Sequence, residues 1–210
     1  MRPVWFRSGF EPSPVIPFLP ATNSRLARED ILAEPALASL VARTTEHVRA
    51  KAPSAFPIKF TYFSKTPKSN WSVSWHQDRN VVLANESVST GFGKPAQRSD
   101  GWHSEAPEAV LRNMMFAICF FDDCGPDAGP LEIVQGLDEL NRKTSEDAAA
   151  LAERLGTEVC IARAGDILLL PMLMPHRSKV QTVSKLRRTL RVDFAISCLP
   201  SPMEFANAIL

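Results

Sequence analysis

The feature that most limits the fold is a series of short, strand-like segments that fills the chain after Pro53. The segments are rich in apolar and β-branched residues, and glycine or proline separates most of them. One helical pattern interrupts them at 145–155, with Ser145 as the expected N-cap and two acidic residues in the first turn. The predicted strands are 57–64, 72–78, 81–84, 113–121, 131–134, 159–162, 166–170, 176–180 and 189–196.

Many short strands without regularly alternating helices are typical of a sandwich or a barrel. We therefore predict a mainly β protein with a double-sheet jelly roll of the cupin kind and flanking α-helices. The 210 residues fit a single domain, 1–210. We expect 57–197 to form the jelly-roll core and 1–55 to cover it, with a proline-rich irregular segment over 1–22 and a helix over 35–51.

The composition favours a small-molecule partner. The net charge is +1, which gives no reason to expect a nucleic acid or an anionic membrane as partner. No apolar run approaches the roughly 18 residues that span a bilayer, and residues 1–5 lack the apolar core of a signal peptide. Cysteine spacing matches no zinc motif, so we expect a reducing, cytoplasmic location. The cysteines are Cys119, Cys124, Cys160 and Cys198, of which Cys119 and Cys160 are expected to be buried.

Two corners of a metal site are predicted at His76 and Asp78. Aromatic and β-branched residues lead into this pair, which indicates a strand. Side chains alternate along a strand, so His76 and Asp78 share a face while Gln77 points away. A non-heme iron centre of the 2-His-1-carboxylate type needs these two ligands and one distant histidine.

A competing pair of the same spacing occurs at His103 and Glu105. It lies within 99–107, whose Gly, Ser, Asp and Pro residues indicate a loop. In a loop, alternation does not direct the two side chains to one point. We therefore rank the pair at His76 and Asp78 first.

The distant histidine is expected to be His176, which follows a buried strand and two prolines. Arg187 comes eleven residues later and shares a strand face with Thr189 and Arg191. A 2-oxo diacid that chelates iron through its 2-oxo group and one carboxylate leaves its other carboxylate free. Guanidinium binds carboxylate in a bidentate fork, and a hydroxyl such as that of Ser178 can add a hydrogen bond.

Together these motifs resemble the phytanoyl-CoA dioxygenase family, whose members are Fe(II)- and 2-oxoglutarate-dependent oxygenases on a double-stranded β-helix. The likeness covers about 57–197, and the segment from Lys65 to Asp78 resembles a bacterial subgroup. The chain departs from the family where 135–138 replaces a Pro-Gly-Ser-His turn. The motifs are His76-Gln77-Asp78, Gly129-Pro130-Leu131, Gly165-Asp166, His176-x-Ser178 and Arg187-Arg188.

The resemblance implies a role for each candidate residue. The metal ligands would be His76, Asp78 and His176, and Arg187 with Ser178 would hold the 2-oxoglutarate C5 carboxylate. Gln77 would lie beside the metal site. Lys65 and Asn70 could reach the cosubstrate or the substrate, although a surface lysine and a structural asparagine are the commoner roles of such residues. The substrate side would include Trp102, His103 and Arg79, in a mouth whose scattered basic residues tolerate an anionic or zwitterionic ligand.

The implied activity is hydroxylation of an unactivated C–H bond in a small molecule. The enzyme would use Fe(II) as its metal, consume 2-oxoglutarate and O2, and release succinate and CO2. Two other classes of protein share much of this pattern. One is a cupin-like metal enzyme that does not use 2-oxoglutarate. The other is a catalytically silent small-molecule-binding barrel. The arginine eleven residues past His176 argues against the first, and the complete set of candidate ligands argues against the second.

Overall fold

Antiparallel strands in three sheets form the framework of the computed structural model, which describes residues 3–210. Met1 and Arg2, the start of the predicted N-terminal cover, lie outside the described residues. The strands are β1 (Val4–Phe6), β2 (Ser24–Leu26), β3 (Phe56–Lys65), β4 (Val73–His76), β5 (Asn80–Leu83), β6 (Ala96–Arg98), β7 (Gly101–Glu105), β8 (Met114–Phe120), β9 (Leu131–Val134), β10 (Thr157–Val159), β11 (Ile167–Pro171), β12 (His176–Ser178) and β13 (Arg187–Ala195). The helices are α1 (Arg28–Ala33), α2 (Pro35–Arg49), α3 (Glu108–Leu111) and α4 (Ser145–Leu155), with 3-10 turns at Ile16–Phe18 and Pro126–Ala128.

The two larger sheets form the jelly roll. The first has the order β1-β11-β8-β13-β3-β2 and the second the order β10-β9-β12-β4. One core cluster unites side chains of both sheets, including Phe116 and Leu170 from the first and Ile133 from the second. A third sheet, β5-β7-β6, lies beside them. The architecture is mainly β with flanking helices, as predicted.

Strand β13 has an apolar face that packs against the helices and a polar face that points into the roll. Leu190, Val192 and Phe194 belong to a second buried cluster that includes Leu40 and Val41 of α2. The alternate residues of β13 face the other way because strand side chains alternate. This face carries the polar residues Arg187, Thr189, Arg191 and Asp193. The predicted strand 189–196 therefore has one apolar and one polar face, as expected.

Both predicted helices and all but one of the predicted strands match observed elements within two residues at each end. Helix α2 begins at Pro35, and α4 and β9 have the predicted bounds. The predicted N-cap of α4 was wrong by one residue, because the N-cap is Thr144. Its hydroxyl accepts from the Asp147 backbone N–H at 3.0 Å, and the Asp147 carboxylate accepts from the Thr144 backbone N–H. This reciprocal pair is a capping box, which needs its first member three residues before the acidic one.

Several segments were assigned wrongly from local composition. The segment 1–22 contributes an edge strand, since Val4–Phe6 pairs with β11. The predicted loop 99–107 contains β7, which pairs with β5 on one side and β6 on the other. Predicted strand 159–162 is shifted, because β10 ends at Val159. Pairing partners distant in sequence supply the hydrogen bonds in each case.

Within residues 3–210, the structure has no helix that combines the length and apolarity needed to cross a bilayer.

Candidate active site

Two histidines lie opposite each other on adjacent strands of the second sheet. His76 ends β4, His176 begins β12, and the two are cross-strand partners. Their ring centroids are 4.2 Å apart. Asp78 lies two residues beyond the end of β4, and its ligand oxygen and the two imidazole nitrogens all lie within 4.8 Å of one another. The predicted strand 72–78 is thus shorter than expected, but the alternation that brings His76 and Asp78 together continues past its end.

Both imidazoles are held in the same way. His76 Nδ1 lies 2.8 Å from the carbonyl oxygen of Ser74, and His176 Nδ1 lies 2.8 Å from that of Met174. A carbonyl oxygen only accepts, so each Nδ1 carries the proton. In the neutral ring this tautomer leaves Nε2 as the free ligand atom, oriented by the backbone bond of Nδ1 as in metal-ligating histidines.

The protonation states suit a cation. Burial lowers the pKa of His176 to about 4, although the Asp78 carboxylate opposes that shift. The ring is therefore neutral at physiological pH, and its Nε2 carries no proton that a metal would have to displace. Metal bonds of about 2.0–2.2 Å keep ligand atoms of one ion within about 4.4 Å of each other. The three ligand atoms lie within 4.8 Å of one another, so a small movement toward each other brings them within that limit. The residues therefore fit a first-row metal.

Arg191 binds the carboxylate of the triad, which sequence reasoning did not assign. Its Nη1 donates to Asp78 Oδ2 at 2.6 Å, and its Nε donates to Asp193 Oδ1 at 2.5 Å. Burial alone would raise the pKa of Asp78, but Arg191, His176 and Lys59 together hold that pKa well below its usual range. Asp78 is therefore an anion at any ordinary pH. The available signal was strand parity, which places Arg191 on the face of Arg187.

A cavity of about 160 Å³ joins the histidine pair to Arg187. This volume lies below the 300–1,000 Å³ typical of sites that enclose a drug-sized ligand. Its walls combine the candidate ligands with basic and hydroxyl side chains and with a large apolar surface. The lining residues are Phe63, Trp71, Val73, His76, Asp78, Phe116, Ile118, Phe120, Leu131, His176, Arg177, Ser178, Arg187, Thr189 and Arg191.

Buried Lys65 and half-buried Arg187 lie side by side on β3 and β13, and Arg187 also lines the cavity. Arg187 and Lys65 are cross-strand partners in β13 and β3. Lys65 is fully buried, its ammonium donates to the Lys179 carbonyl at 2.5 Å, and it lies 5.3 Å from the centroid of the Trp71 ring. Arg187 Nη2 donates to the Gly129 carbonyl at 3.3 Å, and its buried Nε has no partner.

The charge on these two cations is not balanced by protein. Among residues 3–210, neither Lys65 nor Arg187 forms an ion pair with a carboxylate, whereas Arg191 contacts two. Burial, followed by repulsion from Arg187, lowers the pKa of Lys65 to about 8. Burial also lowers the pKa of Arg187. Buried charges are normally paired, so Arg187 in the cavity wall, with Lys65 beside it, can hold an anion.

Gly129 makes this arrangement of cations sterically feasible. Its φ of +62° lies in the left-handed region that glycine adopts freely. A Cβ there would lie 2.5 Å from the Lys179 carbonyl oxygen and 2.9 Å from Lys65 Nζ. The Gly129 carbonyl meanwhile accepts from Arg187. The Gly129-Pro130-Leu131 motif therefore shapes the anion pocket.

We expect Gly129→Ala to weaken 2-oxoglutarate binding and destabilise the fold. A left-handed backbone costs a non-glycine residue about 1–2 kcal/mol, and the collision with the Lys179 carbonyl adds to this cost. Thermal unfolding and calorimetric titration with 2-oxoglutarate measure the two effects. Gly136→Ala is the matched control, because Gly136 also has a positive φ, +64°, but no atom near its would-be Cβ. A loss of affinity equal in both variants would contradict the assignment.

The other predicted cosubstrate residues differ in position. Ser178 lines the cavity with Arg187. Asn70 is used structurally: its side chain donates to the Gln181 carbonyl at 2.8 Å and accepts from the Gln181 N–H at 2.9 Å. Gln77 points away from the cavity, and its amide bonds the backbone of Asn141, Lys143 and Leu173. These bonds fix the loops around the site and leave neither amide aimed at the cavity.

The predicted substrate residues do not line this cavity. Trp102 and His103 lie in β7 of the third sheet, where His103 Nε2 is 2.9 Å from Asp100 Oδ1. Arg79 pairs with Glu105 at 3.7 Å and donates to the Lys143 carbonyl. The competing pair, His103 and Glu105, is thus divided between two different ion pairs. Substrate contact by Trp102, His103 and Arg79 stays a prediction.

Solved structures with this fold include proteins that bind iron and 2-oxoglutarate. AviO1 from Streptomyces viridochromogenes Tue57 is 19% identical over 85% of this chain and 68% of its own, with a TM-score of 0.60. HygX from Streptomyces hygroscopicus, solved with nickel and 2-oxoglutarate bound, is 15% identical over 92% and 82%, with a TM-score of 0.59. HygX has also been solved with iron bound, and with nickel, 2-oxoglutarate and hygromycin B bound.

A third structure is SnoK, a non-heme alpha-ketoglutarate-dependent carbocyclase from nogalamycin biosynthesis. It is 16% identical over 83% of this chain and 63% of its own, with a TM-score of 0.55. The fold is a double-stranded β-helix. No family model and no curated protein matched the chain. The phytanoyl-CoA dioxygenase family is not named by these comparisons, so that resemblance stays a prediction from the motifs.

Proposed function

We propose that this protein is an Fe(II)- and 2-oxoglutarate-dependent oxygenase that hydroxylates an unactivated C–H bond of a small molecule. One observation carries the proposal: the cavity lined by His76, Asp78 and His176 is also lined by Arg187. Arg187 and its cross-strand neighbour Lys65 have no acidic partner among residues 3–210. A metal that chelates a dicarboxylate would explain both features at once. The solved structures with this fold, several of which hold a metal and 2-oxoglutarate, support the same proposal.

Each side chain has a defined task in this proposal. The Nε2 atoms of His76 and His176 and the Asp78 carboxylate would hold Fe(II), which when bound with 2-oxoglutarate and O2 supplies an oxidant for C–H bonds. Arg187 and Lys65 would bind the C5 carboxylate, with Ser178 donating a further hydrogen bond. The aromatic and aliphatic walls, such as Phe116 and Ile118, exclude water from the reacting centre.

The cavity volume favours a substrate that remains outside it. Its 160 Å³ would be largely occupied by the cosubstrate, so the target carbon would approach from the mouth. The proposal keeps 1–210 as one domain with a small-molecule substrate and places the reaction in the cytoplasm, in line with the free thiols of all four cysteines. Membership of the phytanoyl-CoA dioxygenase family completes it.

The alternative of a metal enzyme without 2-oxoglutarate leaves Lys65 and Arg187 unexplained. The experiment is aerobic incubation of the protein with Fe(II), ascorbate and 2-oxoglutarate, followed by measurement of succinate with and without a metabolite library. We expect slow succinate release that a true substrate accelerates. Absence of both succinate release and 2-oxoglutarate binding would contradict the proposal. Oxidation of a library compound without 2-oxoglutarate would favour the alternative.

The pH dependence of 2-oxoglutarate affinity should report on Lys65. In the protein alone the Lys65 pKa is about 8, and a bound carboxylate raises it because it stabilises the ammonium. The complex therefore binds a proton more tightly than the free protein. Affinity should be constant below about pH 8 and fall above it by up to tenfold per pH unit. Arg187 and the Cys124 thiol, whose pKa burial raises, also face this ammonium.

Calorimetric titration of the Ni(II)-loaded protein with 2-oxoglutarate from pH 6.5 to about 9.5 tests this expectation. Lys65→Met should bind weakly at all pH values and lose the decline above pH 8. The exposed neighbour Lys68 supplies the control, Lys68→Met, which should retain it. A decline of equal slope in Lys65→Met would assign it to another group.

A further inference from the structure

A chain of four charged side chains crosses the inner face of β3 and β13 and ends on Asp78. Lys59 Nζ lies 3.2 Å from Asp193 Oδ2, and the other Asp193 oxygen accepts from Arg191. Arg191 in turn donates to Asp78 Oδ2. Two cations and two carboxylates balance, so this end of the cavity requires no outside anion. It differs in this respect from the pair of Lys65 and Arg187.

The guanidinium of Arg191 is held in one plane. Its Cζ lies 4.0 Å from the centroid of the Phe116 ring, and its side chain is only 11% exposed. Two of its nitrogens are bonded to two different carboxylates, which fixes its orientation. The Asp78 oxygen that it holds, Oδ2, is also the one 3.5 Å from His176 Nε2. Arg191 therefore sets the rotation of the carboxylate toward the imidazoles.

Asp78 needs such support more than the two histidines do. It lies beyond the end of β4, where no ladder hydrogen bonds hold the backbone, and its side chain is 27% exposed. His76 and His176 each have a cross-strand partner and a backbone bond to Nδ1. The carboxylate is thus the one member of the group whose orientation depends on another side chain.

We infer that Arg191 is a positioning residue that holds the Asp78 carboxylate for metal binding, with Asp193 and Lys59 holding Arg191. The inference rests on the proposed function, since it requires a metal on His76, Asp78 and His176. Arg191 also has an opposing effect, because its charge repels a cation. Asp193 offsets that charge. Loss of positioning lowers metal affinity and loss of the charge raises it, so the sign of the change identifies the larger effect.

The experiment measures Ni(II) affinity by calorimetry and the absorption spectrum of bound Co(II) in the wild type and four variants. We expect Arg191→Met to raise the Ni(II) Kd about 10–100-fold and to alter the Co(II) spectrum. Arg191→Lys keeps the charge but lacks the fork, so it should recover only part of the affinity. Asp193→Asn should give a smaller loss. Arg188→Met, three positions away on the opposite face of β13 and paired with Asp122, should match the wild type.

Each result bears on a different statement. Wild-type Ni(II) affinity and an unchanged Co(II) spectrum in folded Arg191→Met would overturn the inference, as would a rise in affinity. If circular dichroism shows that Arg191→Met is unfolded, Asp193→Asn decides: an unchanged affinity and spectrum would overturn it. A wild-type protein that binds no Ni(II) would contradict the proposed function itself.

Discussion

His176→Ala should remove most metal binding, with a rise in Kd well beyond 100-fold. Loss of an outer-shell partner alone costs about 10–100-fold, and this change removes one of three ligand atoms outright. His176 is buried and faces His76 across the sheet, so no other described side chain takes its place at the same point. Anaerobic titration with Fe(II), or calorimetry with Ni(II), measures the loss.

His103→Ala is the matched control. His103 is also largely buried and also lies near a carboxylate, that of Asp100, but in the third sheet. We expect unchanged metal affinity in this variant. If His103→Ala strips the metal and His176→Ala does not, the assignment of the metal centre is wrong. Thermal unfolding of both variants separates loss of a ligand from loss of the fold.

Arg187→Ala should raise the 2-oxoglutarate KM roughly 30-fold or more. Truncating one member of a buried charged pair costs about 2–5 kcal/mol, because the other charge is left without its partner. Lys65 would remain beside the carboxylate, so binding should be weakened rather than abolished. Steady-state succinate formation against 2-oxoglutarate concentration gives the KM, and calorimetry on the Ni(II)-loaded protein gives the affinity directly.

Arg188→Ala tests whether the position in the strand, and not the presence of an arginine, matters. Arg188 points to the other face of β13, where its Nε and Nη2 bond the Asp122 carboxylate at 2.8 and 2.7 Å. We expect little change in the 2-oxoglutarate KM. Equal effects of Arg187→Ala and Arg188→Ala would contradict the assignment of Arg187 to the anion pocket.

The sequence by itself determined the features that depend on local periodicity. Alternation along a strand placed His76 and Asp78 on one side and Gln77 on the other, and it separated Arg187 from Arg188. The structure has each of these side chains on its expected side. Turn and helix signals likewise located α2 and α4. Such patterns are readable because the physical rule acts over a few residues.

Secondary structure was predicted wrongly from composition where pairing with other strands decides the conformation of a segment. The Gly- and Ser-rich stretch around Trp102 indicated a loop, but pairing with β5 and β6 makes it a strand. That pairing carries Trp102 and His103 away from the cavity for which the resemblance proposed them. Local propensity is a weak guide in sheets, because hydrogen bonds to other strands decide whether a segment is extended.

Only the tertiary structure decided how the charges are distributed. Arg187 and Arg191 lie on one face of one strand, and strand parity alone does not distinguish their surroundings. The register of β13 against β3 places Lys65 beside Arg187 and Lys59 beside Asp193, while the fold brings Asp78 to Arg191 across 113 positions of sequence. One arginine is therefore neutralised by carboxylates and the other faces the cavity with its charge unpaired. Pair energies depend on distances of a few ångströms, which pairing between remote strands sets and local sequence does not.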